Sequence, residues 1–130
     1  MSEIKNLKEK LENLKVLFVD DEQQIREGTG LFLNKFFDNV TICKDGEEGL
    51  EAFKNNNGFD IIITDIQMPK MDGITMIKKI KEINPDVFVI FITATRGNQN
   101  LDKSLSDLYI TKPISYDDIK LIMQKASEIG

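Results

Sequence analysis

Apolar residues in this chain fall into short continuous runs separated by stretches of helical periodicity, and the two patterns alternate. Residues 16–19 (Val16, Leu17, Phe18, Val19) are apolar without interruption, as in a strand covered on both faces. Ile25, Thr29, Phe32 and Phe36 recur at spacings of 4, 3 and 4, which predicts a helix weakened by Gly28 and Gly30. Residues 40–43 predict a second strand, and residues 46–54 a short helix presenting Leu50 and Phe53. Asn55, Asn56, Asn57 and Gly58 signal a turn, because Asn and Gly tolerate left-handed backbone. Residues 61–64 are β-branched throughout and predict a third strand. Ile74, Ile77, Ile80 and Ile83 form a helical stripe, closed at Asn84-Pro85 because proline disfavours helix in the residue before it. Residues 87–92 predict a fourth strand, residues 101–105 a short helical segment and residues 108–110 a fifth strand. Ser115 then caps a last helix carrying Ile119, Ile122 and Ala126.

Five apolar strands alternating with helices imply an α/β fold, a doubly wound parallel sheet in three layers. Ahead of it, Ile4, Leu7, Leu11 and Leu14 at spacings of 3, 4 and 3 predict an amphipathic helix over residues 2–14, opened by Ser2. That is about two heptads, short of the three or four that mark a coiled coil. The chain therefore divides into an N-terminal helical extension, residues 1–14, and one domain, residues 15–130. The extension reads either as a helix packed on the domain or as the stub of a dimerising or linking helix.

Composition narrows the function. At 130 residues, a two-domain enzyme with an interdomain cleft is not expected. The net charge of −5, with no basic block, argues against direct nucleic-acid binding. No apolar run approaches the ~18–20 residues of a membrane span, and Met1 to Lys5 lack the apolar stretch of a signal peptide. The single cysteine, Cys43, cannot close an internal disulfide and points to a reducing compartment. A cytoplasmic location is expected. The chain has no histidine, which removes imidazole bases, Ser-His-Asp triads, histidine zinc sites and phosphohistidine on this chain. Its chemistry falls to carboxylates, hydroxyls, lysines and a hard metal ion.

In an open parallel α/β sheet, ligands bind beyond the carboxyl ends of the strands. Asp20, Asp21 and Glu22 follow the first strand, Asp65 the third, Thr93 the fourth, and Thr111, Lys112 and Pro113 the fifth. No glycine-rich phosphate loop follows the first strand, so a nucleotide-binding fold is disfavoured. Three crowded carboxylates repel, and one takes up a proton unless a cation joins them. Carboxylate oxygens with room for water suit Mg²⁺. A lysine can neutralise a phosphate and a threonine hydroxyl can donate to one. Together these residues equip one aspartate to become an aspartyl phosphate.

Each residue alone has an ordinary explanation. Asp20-Asp21-Glu22 would complement the dipole of the following helix, and Asp65 would be a turn residue. Thr93 would be a strand former and Lys112 a solvated charge. Four such residues at successive strand ends outweigh the separate explanations.

At these positions the chain resembles the receiver domain of two-component response regulators. The resemblance rests on residues 16–22, on Asp65-Ile66-Gln67-Met68-Pro69-Lys70-Met71-Asp72-Gly73, on Thr93-Ala94 and on Tyr109 to Pro113, and it covers roughly residues 15–128. It implies a flavodoxin-like sheet with strand order 2-1-3-4-5. It implies that Asp65 takes a phosphoryl group from a phosphohistidine on a partner histidine kinase or phosphotransfer protein. Asp21, Asp65 and the Gln67 carbonyl would hold Mg²⁺, with Asp20 assisting through water. Lys112 would pair with the phosphate, Thr93 would hydrogen-bond it, and Tyr109 would rotate inward as the switch. An effector domain or protein would read the output, with a homodimer among the activated states. The resemblance leaves open a module cut from a larger regulator or hybrid kinase.

Two rival readings fit the residues less well. A phosphatase of the haloacid dehalogenase type would want an Asp-x-Asp spacing after the first strand, which Asp20-Asp21 does not supply. A phosphorylation-independent docking module would lack a site residue, and none is missing. One departure from the family stands out. Lys112 lies 19 residues after Thr93, about three short of the family spacing, nearly one helical turn. The segment between them is expected to be shortened, and residues 95–108 to respond first to phosphorylation.

Overall fold

The structure is a computed structural model and describes residues 14–56, 58–93, 103–112 and 114–128. The helix expected over residues 2–14 falls, except for Leu14, outside the described residues, as do residues 95–102 of the segment expected to respond. The elements run β1 (Lys15–Val19), α1 (Gln23–Asn34), β2 (Asn39–Cys43), α2 (Gly46–Asn55), β3 (Ile61–Asp65), α3 (Gly73–Ile83), β4 (Phe88–Thr93), a 3-10 turn (Lys103–Leu105), β5 (Leu108–Thr111) and α4 (Tyr116–Ala126). The sheet order is β2-β1-β3-β4-β5 and every neighbouring pair is parallel. This is the expected doubly wound, flavodoxin-like fold.

Alternation along the strands sorts the core into two clusters, one on each face of the sheet. Val16, Phe18, Ile61, Ile63, Ile90, Ile92 and Ile110 meet Leu33 and Phe37, at and just beyond α1, and Ile119, Ile122 and Met123 of α4. Leu17, Val19, Ile62, Val89 and Phe91 meet Leu50 and Phe53 of α2 and Met76, Ile77 and Ile80 of α3. β1 and β3 are covered on both faces, as the apolar runs predict. β2 departs from that expectation. It is an edge strand, its first four residues are exposed or half-buried, and its Ile42 is partly open to solvent. A short apolar run does not distinguish an edge strand from a central one.

Strand ends also lie slightly beyond the sequence pattern. β3 takes in Asp65, β4 starts at Phe88 and takes in Thr93, and β5 takes in Thr111. Polar residues thus occupy the last ladder positions at the edge where a ligand would bind. Of the four helices among the described residues, three carry a side-chain cap: Asp45 on Glu48 N–H, Asp72 on Thr75 N–H and Ser115 on Asp118 N–H, the last a full capping box. α1 has none. Among the described residues, no helix is long and apolar enough to cross a membrane.

The two glycines of α1 differ. A Cβ on Gly30 would sit 2.6 Å from Ile42 Cδ1, so Gly30 lets the helix approach β2. Among the described residues nothing lies within 4 Å of a Cβ on Gly28, which is exposed. Gly28→Ala should therefore stabilise the domain by about 0.5–1 kcal/mol, the helix-propensity difference. Chemical denaturation measures this, and a lower midpoint would show that the helix needs glycine there.

Candidate functional site

The parallel register sets the site. Val19 pairs with Thr64, Asp65 with Ile92, and Thr93 with Thr111. Asp20, Asp65, Thr93 and Lys112 consequently leave their strands at one edge of the sheet. Asp20 is fully buried, Asp65 nearly so, and Asp21 half-buried. One carboxylate oxygen from each of these three lies within 4.8 Å of the others.

Lys112 reaches into this cluster. Its Nζ donates to Asp65 Oδ2 at 2.9 Å and lies 2.9 Å from Asp20 Oδ2 and 4.0 Å from Glu22 Oε1. One ammonium therefore serves two buried carboxylates, Asp20 and Asp65, with Asp21 clustered beside them. Burial, reinforced by the charge of Asp20, raises the proton affinity of Asp65 despite Lys112. Burial opposes the Lys112 ammonium, but Asp20 and Asp65 outweigh it and hold the lysine charged. The site carries more negative charge than one lysine neutralises.

The donor set has capacity to spare. Asp20 Oδ1 accepts the Glu22 N–H at 2.9 Å, and Asp65 Oδ1 accepts the Ile66 N–H at 2.8 Å. Asp20 Oδ2 is buried and, although close to Lys112, has no hydrogen bond of good geometry among the described residues. A buried carboxylate oxygen left in this way, within a cluster of hard oxygens, fits a divalent cation such as Mg²⁺.

Helix capping does not explain the acidic run. Asp20 takes the N–H of Glu22 instead of capping α1, and Glu22 at the N-cap position makes no side-chain cap bond. The local rule fails where the side chains are drawn into the site.

The loop after β3 is packed backbone on backbone. A Cβ on Gly73 would lie 2.1 Å from the Asp65 carbonyl oxygen, and Gly73 N–H donates to the Ile66 carbonyl at 2.7 Å. The buried Thr64 hydroxyl donates to the same Asp65 carbonyl at 2.9 Å. Gln67 is exposed in this loop, two residues beyond Asp65. Lys112 N–H donates to the Thr93 carbonyl at 2.8 Å, so the ends of β4 and β5 are tied together. Tyr109 is half-buried, its ring 5.7 Å from Phe91, and Phe91 shares a sheet face with Thr93.

Two contributors escaped the sequence reading. Arg26 donates to the Asp20 carbonyl at 2.9 Å and braces the end of β1. A groove of about 630 Å³ adjoins the site, lined by Ile25, Phe32, Ile92 and Ile114 together with Glu22 and Lys112. A basic residue one turn into α1 was the available signal for the first; the second depends on helix packing. Cys43 takes no part. Burial and the neighbouring Glu48 push its thiol up to about 12, so it is neutral at physiological pH.

A family model of the response regulator receiver domain matches residues 16–124. The chain is 29% identical over 115 residues to the transcriptional regulatory protein RprY of Bacteroides fragilis, covering 83% of this chain and 47% of that one. It is 31% identical over 110 residues to the autoinducer 1 sensor kinase/phosphatase LuxN of Vibrio campbellii, covering 83% of this chain and 13% of that one. It is similar to the crystal structure of the response regulator protein TrrA of Thermotoga maritima in complex with Mg²⁺-BeF, at 29% identity and a TM-score of 0.74, covering 87% of this chain and 98% of that one. The chain thus spans less than half the length of either curated relative.

Proposed function

Since the chain belongs to the response regulator receiver domain family, we propose that it is a Mg²⁺-dependent phosphoacceptor whose nucleophile is Asp65. The observation that carries this reading is Lys112 Nζ at 2.9 Å from both Asp20 and Asp65 inside a cluster of three carboxylates. The donor is a phosphohistidine on a partner histidine kinase or phosphotransfer protein. A carboxylate oxygen of Asp65 bonds to phosphorus as the phosphorus–nitrogen bond breaks, and the imidazole nitrogen leaves with the bonding pair. The domain turns over no separate substrate; its own aspartate is the acceptor.

Asp20, Asp21, Asp65 and the Gln67 carbonyl are the residues that would hold Mg²⁺. When bound, the ion would neutralise charge on the phosphoryl oxygens. Formation of the acyl phosphate removes the negative charge from the Asp65 carboxylate and places about two negative charges on the phosphate. Lys112 follows that charge, and Thr93 donates its hydroxyl to it. Because Lys112 and Thr93 are joined through their backbones, both strand ends shift together, and Tyr109 on the same sheet face as Thr93 re-packs against Phe91. The apolar groove beside Lys112 gives the donor protein a surface next to the nucleophile. The output is read by an effector domain, an effector protein or a second copy of the chain. RprY and LuxN, one a transcriptional regulator and the other a sensor kinase/phosphatase, leave both regulator and hybrid-kinase contexts open.

With acetyl phosphate as donor, the domain should gain one phosphoryl group by mass when Mg²⁺ is present and none when the ion is chelated. Equal gain in both conditions would contradict the metal dependence.

A further inference from the structure

Among the described residues, Lys70 is the one non-glycine with positive φ, at 67°. It lies at the centre of a three-residue turn in which Met71 N–H donates to the Pro69 carbonyl at 2.7 Å. Turns of this kind with positive φ at the centre are rare and strained. A strained residue persists only where its surroundings hold it, and such residues gather at functional sites.

Two contacts from Asp45 and Gly46, at the start of α2, hold this one. Lys70 Nζ lies 3.9 Å from Asp45 Oδ2. The Met71 carbonyl packs so closely on Gly46 that a Cβ there would sit 2.2 Å from its oxygen. Asp45 is itself fixed, being 6% exposed with Oδ1 accepting the Glu48 N–H at 2.8 Å. The Lys70 side chain is mostly exposed, so burial of the lysine does not demand the pair. What the pair holds is the loop that leaves Asp65, passes Gln67 and returns to Gly73.

We infer that Lys70 is a positioning residue: its ion pair with Asp45 straps the loop of residues 66–72 to the loop after β2 and sets the Gln67 backbone for Mg²⁺ binding beside Asp65. This rests on the phosphoacceptor reading above and deepens it. The two loops come from opposite sides of β1 in the sheet, so the strap joins segments that the ladder alone leaves independent.

The test is calorimetric titration of Mg²⁺ into the unphosphorylated domain and three single variants. Lys70→Gly keeps the positive φ at no steric cost and removes the ammonium. Asp45→Asn keeps a capping oxygen and removes the charge. Lys70→Arg keeps the pair. Lys70→Gly and Asp45→Asn should each weaken Mg²⁺ binding about two- to fivefold, the reach of an exposed ion pair. The double variant should be no weaker than the worse single, because both remove one interaction. Lys70→Arg should bind as the parent does. Loss of a nearby positive charge by itself would tighten binding of a cation, so weaker binding in Lys70→Gly has to come through the loop. Parent-like or tighter binding in Lys70→Gly, or singles that simply add, would overturn the strap. A parent that binds no Mg²⁺ would overturn the site reading itself.

Discussion

Asp65→Asn should take up no phosphoryl group under conditions that load the parent fully, and it should unfold at a higher denaturant concentration. The first effect follows because an amide is not a nucleophile for phosphorus, and no other carboxylate ends the central strand. The second follows from the crowding. Asp20 and Asp65 share one lysine beside Asp21, and burial holds the proton affinity of Asp65 above its ordinary value. A raised carboxylate contributes stability below its ordinary value of 3.8, and that contribution is lost as the pH rises through the raised value. At neutral pH its charge is therefore a cost, which Asn removes while keeping the shape. The stability gain should fade as the pH falls through the carboxylate range. Mass spectrometry and urea denaturation at two pH values read the two effects. Full labelling of the variant would dismiss Asp65 as the acceptor.

Lys112→Ala should be the most damaging single change at the site, costing about 3–5 kcal/mol at neutral pH, because it leaves buried charges without their partner. The Lys112 side chain is 9% exposed and Asp20 fully buried, so solvent does not take over the role of the ammonium. Two conditions should restore stability. Lowering the pH protonates the orphaned carboxylates, so the gap between variant and parent should narrow as the pH falls. Mg²⁺ should stabilise the variant as well, since a cation that binds only the folded state adds about 1.4 kcal/mol at ten times its dissociation constant. In the parent the lysine contribution has the opposite pH dependence. Asp20 and Asp65 raise its proton affinity above 10.5 in spite of burial, so the stabilisation is present below that value and lost as alkaline pH passes the raised one. A variant with parental stability at neutral pH would mean that the ion pairs contribute nothing net.

Much of this was legible in the chain. The continuous runs at 16–19 and 61–64 are what a doubly covered parallel strand requires, and they lie in strands buried on both faces. The Ile74, Ile77, Ile80 and Ile83 stripe bounds α3 at the observed residue, because Asn84-Pro85 closes it. Asp20, Asp21, Asp65 and Lys112 could be placed together because parallel strands bring their carboxyl ends to one edge.

The remainder depends on contacts between elements. The exposure of β2 follows from its place at the edge, and composition does not set that place. Gly46 and Gly73 read as ordinary helix openers, yet each admits a carbonyl oxygen that a Cβ would collide with. The positive φ of Lys70 has no local signal, since lysine has no preference for left-handed backbone and glycine or asparagine would be expected there. α1 goes without a side-chain cap because Glu22, not one of the short cap-forming residues, stands at its N-cap position, while Asp20 lies outside the helix and faces Lys112. These exceptions gather around Asp65, where tertiary contacts and chemistry compete with local preference.

The central claim is that Asp65 carries the phosphoryl group. Reductive trapping tests it most directly: borohydride cleaves an acyl phosphate and converts the aspartate that bore it to homoserine. After loading with acetyl phosphate and Mg²⁺, peptide mapping should find homoserine at position 65 and aspartate at positions 20 and 21. Homoserine at either of those positions, or phosphorylated protein that borohydride leaves unchanged, would contradict the account.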